Sequence, residues 1–250
     1  MFFRGQFGIS SRPHACHISS VRKHHKLLIA LACLLVIGGV VVFATRDSEP
    51  HYQGRSISEW LVYSSKTVGQ YKETEVAVRA MGTNVIPCLL KWTRARPSAL
   101  QETARSKLPR SVVQSSFGKF LTGSSDKMPG YAVAGFKILG TNATAAIPEL
   151  QSMIQDTAHP ETGLYSIEAL ANIGSPAFPV LAAAFSDKGH LMRYGILFEV
   201  AYATPERFSP HEITSLLQTA FEDPKLQIRK LATNAALKIA PELLTNTPAK

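Results

Sequence analysis

The chain has 250 residues, of which 27 are lysine or arginine, 18 are aspartate or glutamate, and 45% are hydrophobic. This apolar content can build a core, and a charged fraction of 18% is too low for a disordered chain. Three scattered cysteines exclude a disulfide-stapled miniprotein and a cysteine-rich zinc module.

The net charge of +9 is unevenly distributed along the chain. Residues 1–26 carry five basic and no acidic side chains, and residues 93–130 carry seven basic and two acidic ones. Residues 131–250 carry nine basic and eleven acidic side chains. A nucleic-acid-binding domain usually spreads basic residues over one face of its fold. This distribution therefore argues against a nucleic-acid partner.

Residues 27–45 contain no charged side chain and lie between Lys26 and Arg46. A helix of about 20 apolar residues spans a bilayer, so this stretch predicts a single-pass transmembrane anchor. The basic tail, residues 1–26, predicts a cytoplasmic N-terminus and an exported remainder, periplasmic in a bacterium. The alternative is a cleaved signal peptide and a secreted or periplasmic protein, although an apolar region of about 7–15 residues is usual there.

Residues 46–70 are predicted to form a linker and a lead-in helix, because Ser56-Ile-Ser-Glu59 matches a capping box. From residue 71 to residue 250 a helical pattern recurs. Each first helix ends in a glycine, which can close a helix in the left-handed conformation, and each second helix has a proline in its first turn. The glycines are Gly82, Gly140 and Gly174, and the prolines are Pro87, Pro148 and Pro179.

Weaker copies follow these three. The apolar face of the next first helix is predicted to contain Leu191, Tyr194, Phe198 and Ala201. The repeat period is near the 34 residues that separate Gly140 from Gly174. One pair cannot bury its apolar stripe alone, so neighbouring pairs should stack. With no strand or hairpin signal, the predicted fold is all-α, an α-solenoid of about five helix pairs after a single transmembrane helix.

Three fragments carry a family resemblance: AVRAMG, EALANIG and IRKLATNAAL. The segment 223–239 adds an aspartate followed by an Ile-Arg step, from Asp223 to Arg229, and Arg79 follows Val78 in the same way. These features resemble HEAT repeats, especially the short type of the phycobilisome-lyase-like group. The resemblance implies an α-solenoid over about residues 70–245. It implies no single function, because the class serves scaffolds, lyases and nucleic-acid enzymes alike.

Residues 93–130 interrupt the pattern, either as a degenerate repeat with helices near 98–107 and 111–121 or as a loop. The segment holds a basic set that consists of Arg94, Arg96, Arg105, Lys107 and Arg110. Such a patch could bind a polyanion or anionic lipid. A solvated insertion is the favoured interpretation, because Phe117 and Phe120 are too few to form a base-stacking platform.

No catalytic motif is present, and the sequence predicts no cofactor and no metal site. The predicted function is a membrane-anchored, non-catalytic scaffold that binds an unidentified protein or peptide partner on the concave face of its second helices. Exposed second-helix residues are the predicted contacts, namely Lys91, Glu149, Gln151 and Gln218. The alternatives are a lyase-like HEAT enzyme and a binder of polyanions or anionic lipid through residues 93–130.

Overall fold

The computed structural model of the protein describes residues 49–63, 68–115 and 127–245. Those residues belong to a unit that spans Glu49–Lys250. The predicted tail, 1–26, and the predicted anchor, 27–45, lie outside the described residues. Within the described ranges, none of the helices combines the length and the apolar character that a bilayer crossing requires.

Helices make up most of the described residues, which confirms the predicted all-α class. In chain order they are α1 (Ile57–Tyr63), α2 (Val68–Met81), α3 (Ile86–Thr93), α4 (Ala99–Lys107), α5 (Arg110–Gln114), α6 (Met128–Leu139), α7 (Ile147–Gln155), α8 (Pro160–Ile173), α9 (Phe178–Ser186), α10 (Arg193–Phe198), α11 (Pro210–Phe221), α12 (Leu226–Ile239) and α13 (Glu242–Thr245). The predicted first helices correspond to α2, α6, α8, α10 and α12. The predicted second helices correspond to α3, α7, α9 and α11.

A short hairpin precedes α1, which the sequence analysis did not predict. Strand β1 (His51–Tyr52) pairs antiparallel with β2 (Arg55–Ser56). The turn between them is built from Gln53 and Gly54, which have φ angles of 49° and 77°. A two-residue turn with positive φ at both positions matches the twist of paired strands, and glycine adopts it without strain. The Gln-Gly pair was therefore the missed signal.

Two predicted local features of the helices are confirmed. At the start of α1, the Ser56 N–H donates to Glu59 Oε2 over 2.8 Å and the Glu59 N–H donates to Ser56 Oγ over 3.3 Å, as a capping box requires. The second helices α3, α7 and α9 carry proline in their first turn. A short 3-10 turn separates each of these helices from the first helix before it.

The glycines that end the first helices have positive φ, as predicted, but two of them differ from the left-handed helical conformation. Gly140 has φ 55° and ψ −131°, and Gly174 has φ 88° and ψ −148°. Residues with a side chain are essentially excluded from this region of backbone space. The requirement for glycine at these two positions is therefore stricter than an ordinary helix cap imposes.

The first helices contact one another in sequence order: α2 with α6, α6 with α8, α8 with α10, and α10 with α12. Each second helix packs against elements of its own pair or of the next, for example α7 against α8 and α9 against α11. The apolar side chains between them form one continuous core. Helix α6 packs directly against α2 and α3, across the break in the predicted repeat pattern.

The predicted apolar face of the fourth first helix is wrong. Leu191, Tyr194 and Phe198 are exposed, and only Ala201 of that set is buried. The core side of α10 instead holds Ile196 and Leu197 together with the charged residue Arg193, all of them buried. Arg193 turns inward because its guanidinium has buried polar partners, which an apolar-periodicity argument does not take into account.

Candidate functional site

A cleft of about 610 Å³ opens where α8 and α10 meet the chain that follows α3. One wall is the outer face of α8, which presents Glu161, Leu164, Tyr165 and Glu168 at helical spacing. The second wall contains Gly195 and Glu199, the first residue of the π-helical turn Glu199–Ala203, and the third is the segment 95–97. Ligand sites in proteins usually have volumes of about 300–1,000 Å³, so the cleft is large enough to hold a ligand group.

The π-helical turn places Glu199 in this cleft. Thr204 donates two hydrogen bonds to the Glu199 carbonyl, one from its N–H over 2.9 Å and one from its hydroxyl over 3.1 Å. The hydrogen bond between them spans five residues instead of the usual four, so the turn that continues α10 contains one extra residue. Such turns occur often at functional sites. The turn directs the Glu199 side chain toward α8, where Glu168 lines the same cleft.

The charges in the cleft are mostly negative. The described lining holds four carboxylates, namely those of Glu102, Glu161, Glu168 and Glu199, and one guanidinium, that of Arg96. Glu168 and Glu199 are half-buried, and among the described residues neither carboxylate forms a hydrogen bond or an ion pair. A ligand that carries a positive charge would therefore find two carboxylates without partners there.

Burial raises the pKa values of both groups, and the charge of Glu168 adds to the rise at Glu199. For Glu199, burial is the larger cause and the charge of Glu168 the smaller, and together they raise its pKa to about 7. Burial also raises the pKa of Glu168, against the opposing effect of the Lys137 charge. A carboxyl group with a pKa near neutrality can exchange a proton with a ligand, which is the property that a general acid or base needs.

Two arginines of the predicted basic set are engaged within the protein. Arg94 forms an ion pair with Glu149 on α7, and the Arg96 Nη2 donates to the Thr162 hydroxyl on α8 over 2.8 Å. These contacts attach the segment after α3 to two later helices. Lys107 is exposed at the end of α4. Arg105 and Arg110 belong to α4 and α5, and their side chains lie outside the described part of the structure.

The four predicted contact residues lie on second helices, away from the cleft. Lys91 is exposed on α3 and Gln218 on α11, and Gln151 is half-buried on α7. Glu149 belongs to the predicted contact residues, and it forms an ion pair with Arg94, which belongs to the predicted basic set. The second-helix surface therefore remains a prediction, and Glu149 within it already has a partner in the protein.

Sequence analysis missed the cleft carboxylates. Glu168 lies inside EALANIG, whose apolar spacing and final glycine indicate only a helix and its end. The heptad spacing of Glu161 and Glu168 could have indicated an acidic stripe on α8. Nothing in the sequence could have brought Glu199 to that stripe, because its position depends on the π-helical turn and on the packing of α10 against α8.

The residues of this cleft limit its chemistry. Its described lining includes no serine, cysteine or histidine. Within the described ranges, no group of three or more histidine, cysteine, aspartate or glutamate side chains is arranged to hold a metal ion. The arrangement can bind a cation and exchange a proton. No protein-family model, curated protein or solved structure matches the chain.

Proposed function

We propose that the chain is a helical-repeat scaffold of the HEAT type that binds a protein partner at the cleft between α8 and α10. The order of helix contacts supports the repeat architecture, because each pair meets the next pair along the chain, as in a solenoid. Residues 27–45 would hold the scaffold at a membrane, with its repeats exported.

The observation that carries this proposal is the apolar rim of the cleft. Leu164, Tyr194 and Phe198 are 52%, 50% and 42% exposed; Leu164 lines the cleft, and the other two adjoin its lining residues Gly195 and Glu199 in the chain. Exposed apolar side chains gathered next to polar groups are typical of protein interaction sites. The cleft beside it supplies polar groups that can orient a bound segment.

Site-specific photo-crosslinking in intact cells tests the proposed face. A photoreactive amino acid would replace Leu164 or Phe198 in the full chain, and a matched set would replace Lys91 or Gln218 on the second helices. We expect one defined adduct from the first two positions and none from the second two. An adduct only from Lys91 or Gln218 would favour the concave second-helix surface and contradict the proposal.

An acid–base enzyme is the second candidate, and the raised pKa of Glu199 favours it. The test is turnover of a small-molecule fraction from the host, followed by mass spectrometry, with Glu199→Gln and Glu206→Gln compared. A compound consumed by the wild-type chain and by Glu206→Gln, but not by Glu199→Gln, would support the enzyme. If no compound is consumed, the protein-binding function is better supported than the enzyme.

A further inference from the structure

One guanidinium group forms part of the wall of the cleft. Arg96 lines it from the segment after α3, and its Nη2 donates to the Thr162 hydroxyl over 2.8 Å. Thr162 is buried, so this hydrogen bond fixes the guanidinium against the protein side of the cleft wall.

That guanidinium leaves the carboxylates of the cleft largely unneutralised. It shares the cleft wall with four carboxylates, and its described hydrogen bond is to Thr162. Glu168 and Glu199 line the cleft from α8 and from the π-helical turn, and the charge of Glu168 raises the electrostatic cost of a charge on Glu199. A second cation between them would relieve that repulsion and supply the hydrogen-bond donors that both carboxylates lack.

The rim adds a requirement for apolar groups. The exposed side chain of Leu164 lies beside Gly195, whose missing side chain leaves the cleft open at this point; an added Cβ would lie 3.6 Å from Leu164 Cδ2. Phe198 precedes Glu199 directly and stacks on Tyr202 with ring centroids 5.9 Å apart. An occupant should therefore present apolar side chains next to its cation.

We propose that the cleft binds a basic, apolar segment of the partner protein, with one lysine or arginine side chain inserted between Glu168 and Glu199. This inference rests on the proposed function, because it specifies the partner at the same face. Leu164 and Phe198 contact the apolar side chains that flank the inserted cation. Charge complementarity selects the occupant, since an acidic or neutral segment would leave the two carboxylates unpaired.

A peptide-binding measurement on the full chain in detergent tests the inference. The probe is a fluorescently labelled peptide, acetyl-Gly-Leu-Arg-Leu-Arg-Leu-Gly-amide, followed by anisotropy. Its matched control has citrulline in place of both arginines, which keeps the planar shape but removes the charge and replaces one NH2 donor with a carbonyl acceptor. We expect the arginine peptide to bind at least about tenfold more tightly, since a charge-assisted pair contributes more than a neutral hydrogen bond.

Protein variants locate the binding site. The double variant Glu168→Gln/Glu199→Gln should weaken binding of the arginine peptide about tenfold or more, whereas Glu222→Gln, an exposed residue at the end of α11, should not. Thermal unfolding of each variant shows whether the fold is kept. Equal binding of both peptides, or full binding by the double variant, would overturn the inference.

Two further outcomes separate this inference from the proposed function. If crosslinking from Leu164 captures a defined partner but the double variant still binds it, the scaffold stands and the cation chemistry fails. If the arginine peptide binds through Glu168 and Glu199 but no adduct forms in cells, the protein-binding function fails. Spermidine that competes as well as the peptide would assign the cleft to a small polycation and overturn the peptide assignment.

Discussion

Arg193 and Asp223 form a buried ion pair between residues that lie 30 positions apart in the chain. Arg193 begins α10, and Asp223 lies in the turn between α11 and α12. The Arg193 Nε also donates to the Phe185 carbonyl over 2.6 Å, and its guanidinium lies 4.7 Å from the centroid of the Phe185 ring. This inward arginine fixes the rotation of α10, so the neighbouring residue Tyr194 faces solvent.

The first prediction concerns Asp223. Replacement by asparagine leaves the buried Arg193 charge without its counter-ion, and breaking a buried pair costs about 3–5 kcal/mol. We expect Asp223→Asn to lower the free energy of unfolding by about that amount in urea titrations. Glu222→Gln, next to it and exposed, is the matched control and should unfold like the wild type.

The Arg193–Asp223 pair also makes the stability of the fold depend on pH in the acidic range. Burial raises the pKa of Asp223, but hydrogen bonds from Arg193 and the Lys225 N–H outweigh it and hold that pKa below the ordinary value. The stabilisation is therefore complete above the unfolded pKa and is lost as pH falls through the lower, folded value. Asp223→Asn should lack this acid-dependent loss, and an unchanged pH profile would contradict the assignment.

The second prediction concerns the glycines that end the first helices. A Cβ on Gly174 would lie 2.7 Å from the Arg207 carbonyl oxygen, whereas a Cβ on Gly82 would meet nothing within 4 Å. Both residues have positive φ, so alanine is strained at either site, and more so at Gly174, whose φ and ψ lie in a region that residues with a side chain essentially avoid. Gly174→Ala should cost about 1–3 kcal/mol more than Gly82→Ala in chemical unfolding, because steric overlap adds to the strain. Equal costs would show that the contact with Arg207 relaxes freely.

The third prediction concerns Arg207, which links the ends of two first helices. Its guanidinium donates to the Asn172 carbonyl on α8 and to the Lys137 carbonyl on α6. Arg207→Ala should lower the free energy of unfolding by about 1–3 kcal/mol. Arg207→Lys should recover only part of this, because an ammonium group lacks the planar fork that reaches both carbonyls. Full recovery with lysine would reduce the role of Arg207 to its charge.

The fourth prediction is a pH dependence that arises at Glu199. Its pKa rises from 4.5 to about 7 on folding, so the folded state binds more protons than the unfolded state between those values. Stability should therefore fall as pH rises through that window. Glu199→Gln should remove this slope and be more stable than the wild type by roughly 1 kcal/mol at about pH 8, after allowance for solvent screening.

Thermal unfolding at a series of pH values checks this result. Glu206→Gln, an exposed carboxylate in the next turn of the chain, should keep the wild-type slope. If Glu199→Gln also keeps the slope, the carboxyl group does not titrate near neutrality, and the acid–base alternative loses its support.

The fifth prediction concerns Arg94, which pairs with Glu149 at the surface. The side chains are 47% and 44% exposed, so Arg94→Glu should cost no more than about 1 kcal/mol. The swapped pair Arg94→Glu/Glu149→Arg should restore that loss. Binding to anionic vesicles should be unchanged in both variants, because this arginine is already engaged. Loss of vesicle binding in Arg94→Glu would instead support the polyanion alternative.

The sequence was sufficient to predict the local structure of the repeats. The capping box at Ser56, the glycine ends at Gly82, Gly140 and Gly174, and the prolines of the second helices all follow from backbone and hydrogen-bonding constraints within a few residues. Such constraints depend only on residues that are close together in the chain, so they can be predicted from a single sequence.

The same approach failed where a distant partner changed the outcome. The apolar spacing of Leu191, Tyr194 and Phe198 predicted a buried face, but those residues are exposed. The pairing of Arg193 with Asp223 sets the rotation of α10 against that spacing. Periodicity counts apolar side chains and takes no account of a buried charge that is matched by a partner from the next pair.

By itself, then, the sequence determined the helical class of the protein, the ends of its helices and the uneven distribution of its charge. The tertiary structure decided which faces meet, and so it alone brought Glu168 and Glu199 into one cleft and tied Arg94 and Arg96 to α7 and α8. The physical reason is the range of the interactions. Helix caps act within one turn, whereas a cleft depends on the packing of helices whose residues lie tens of positions apart.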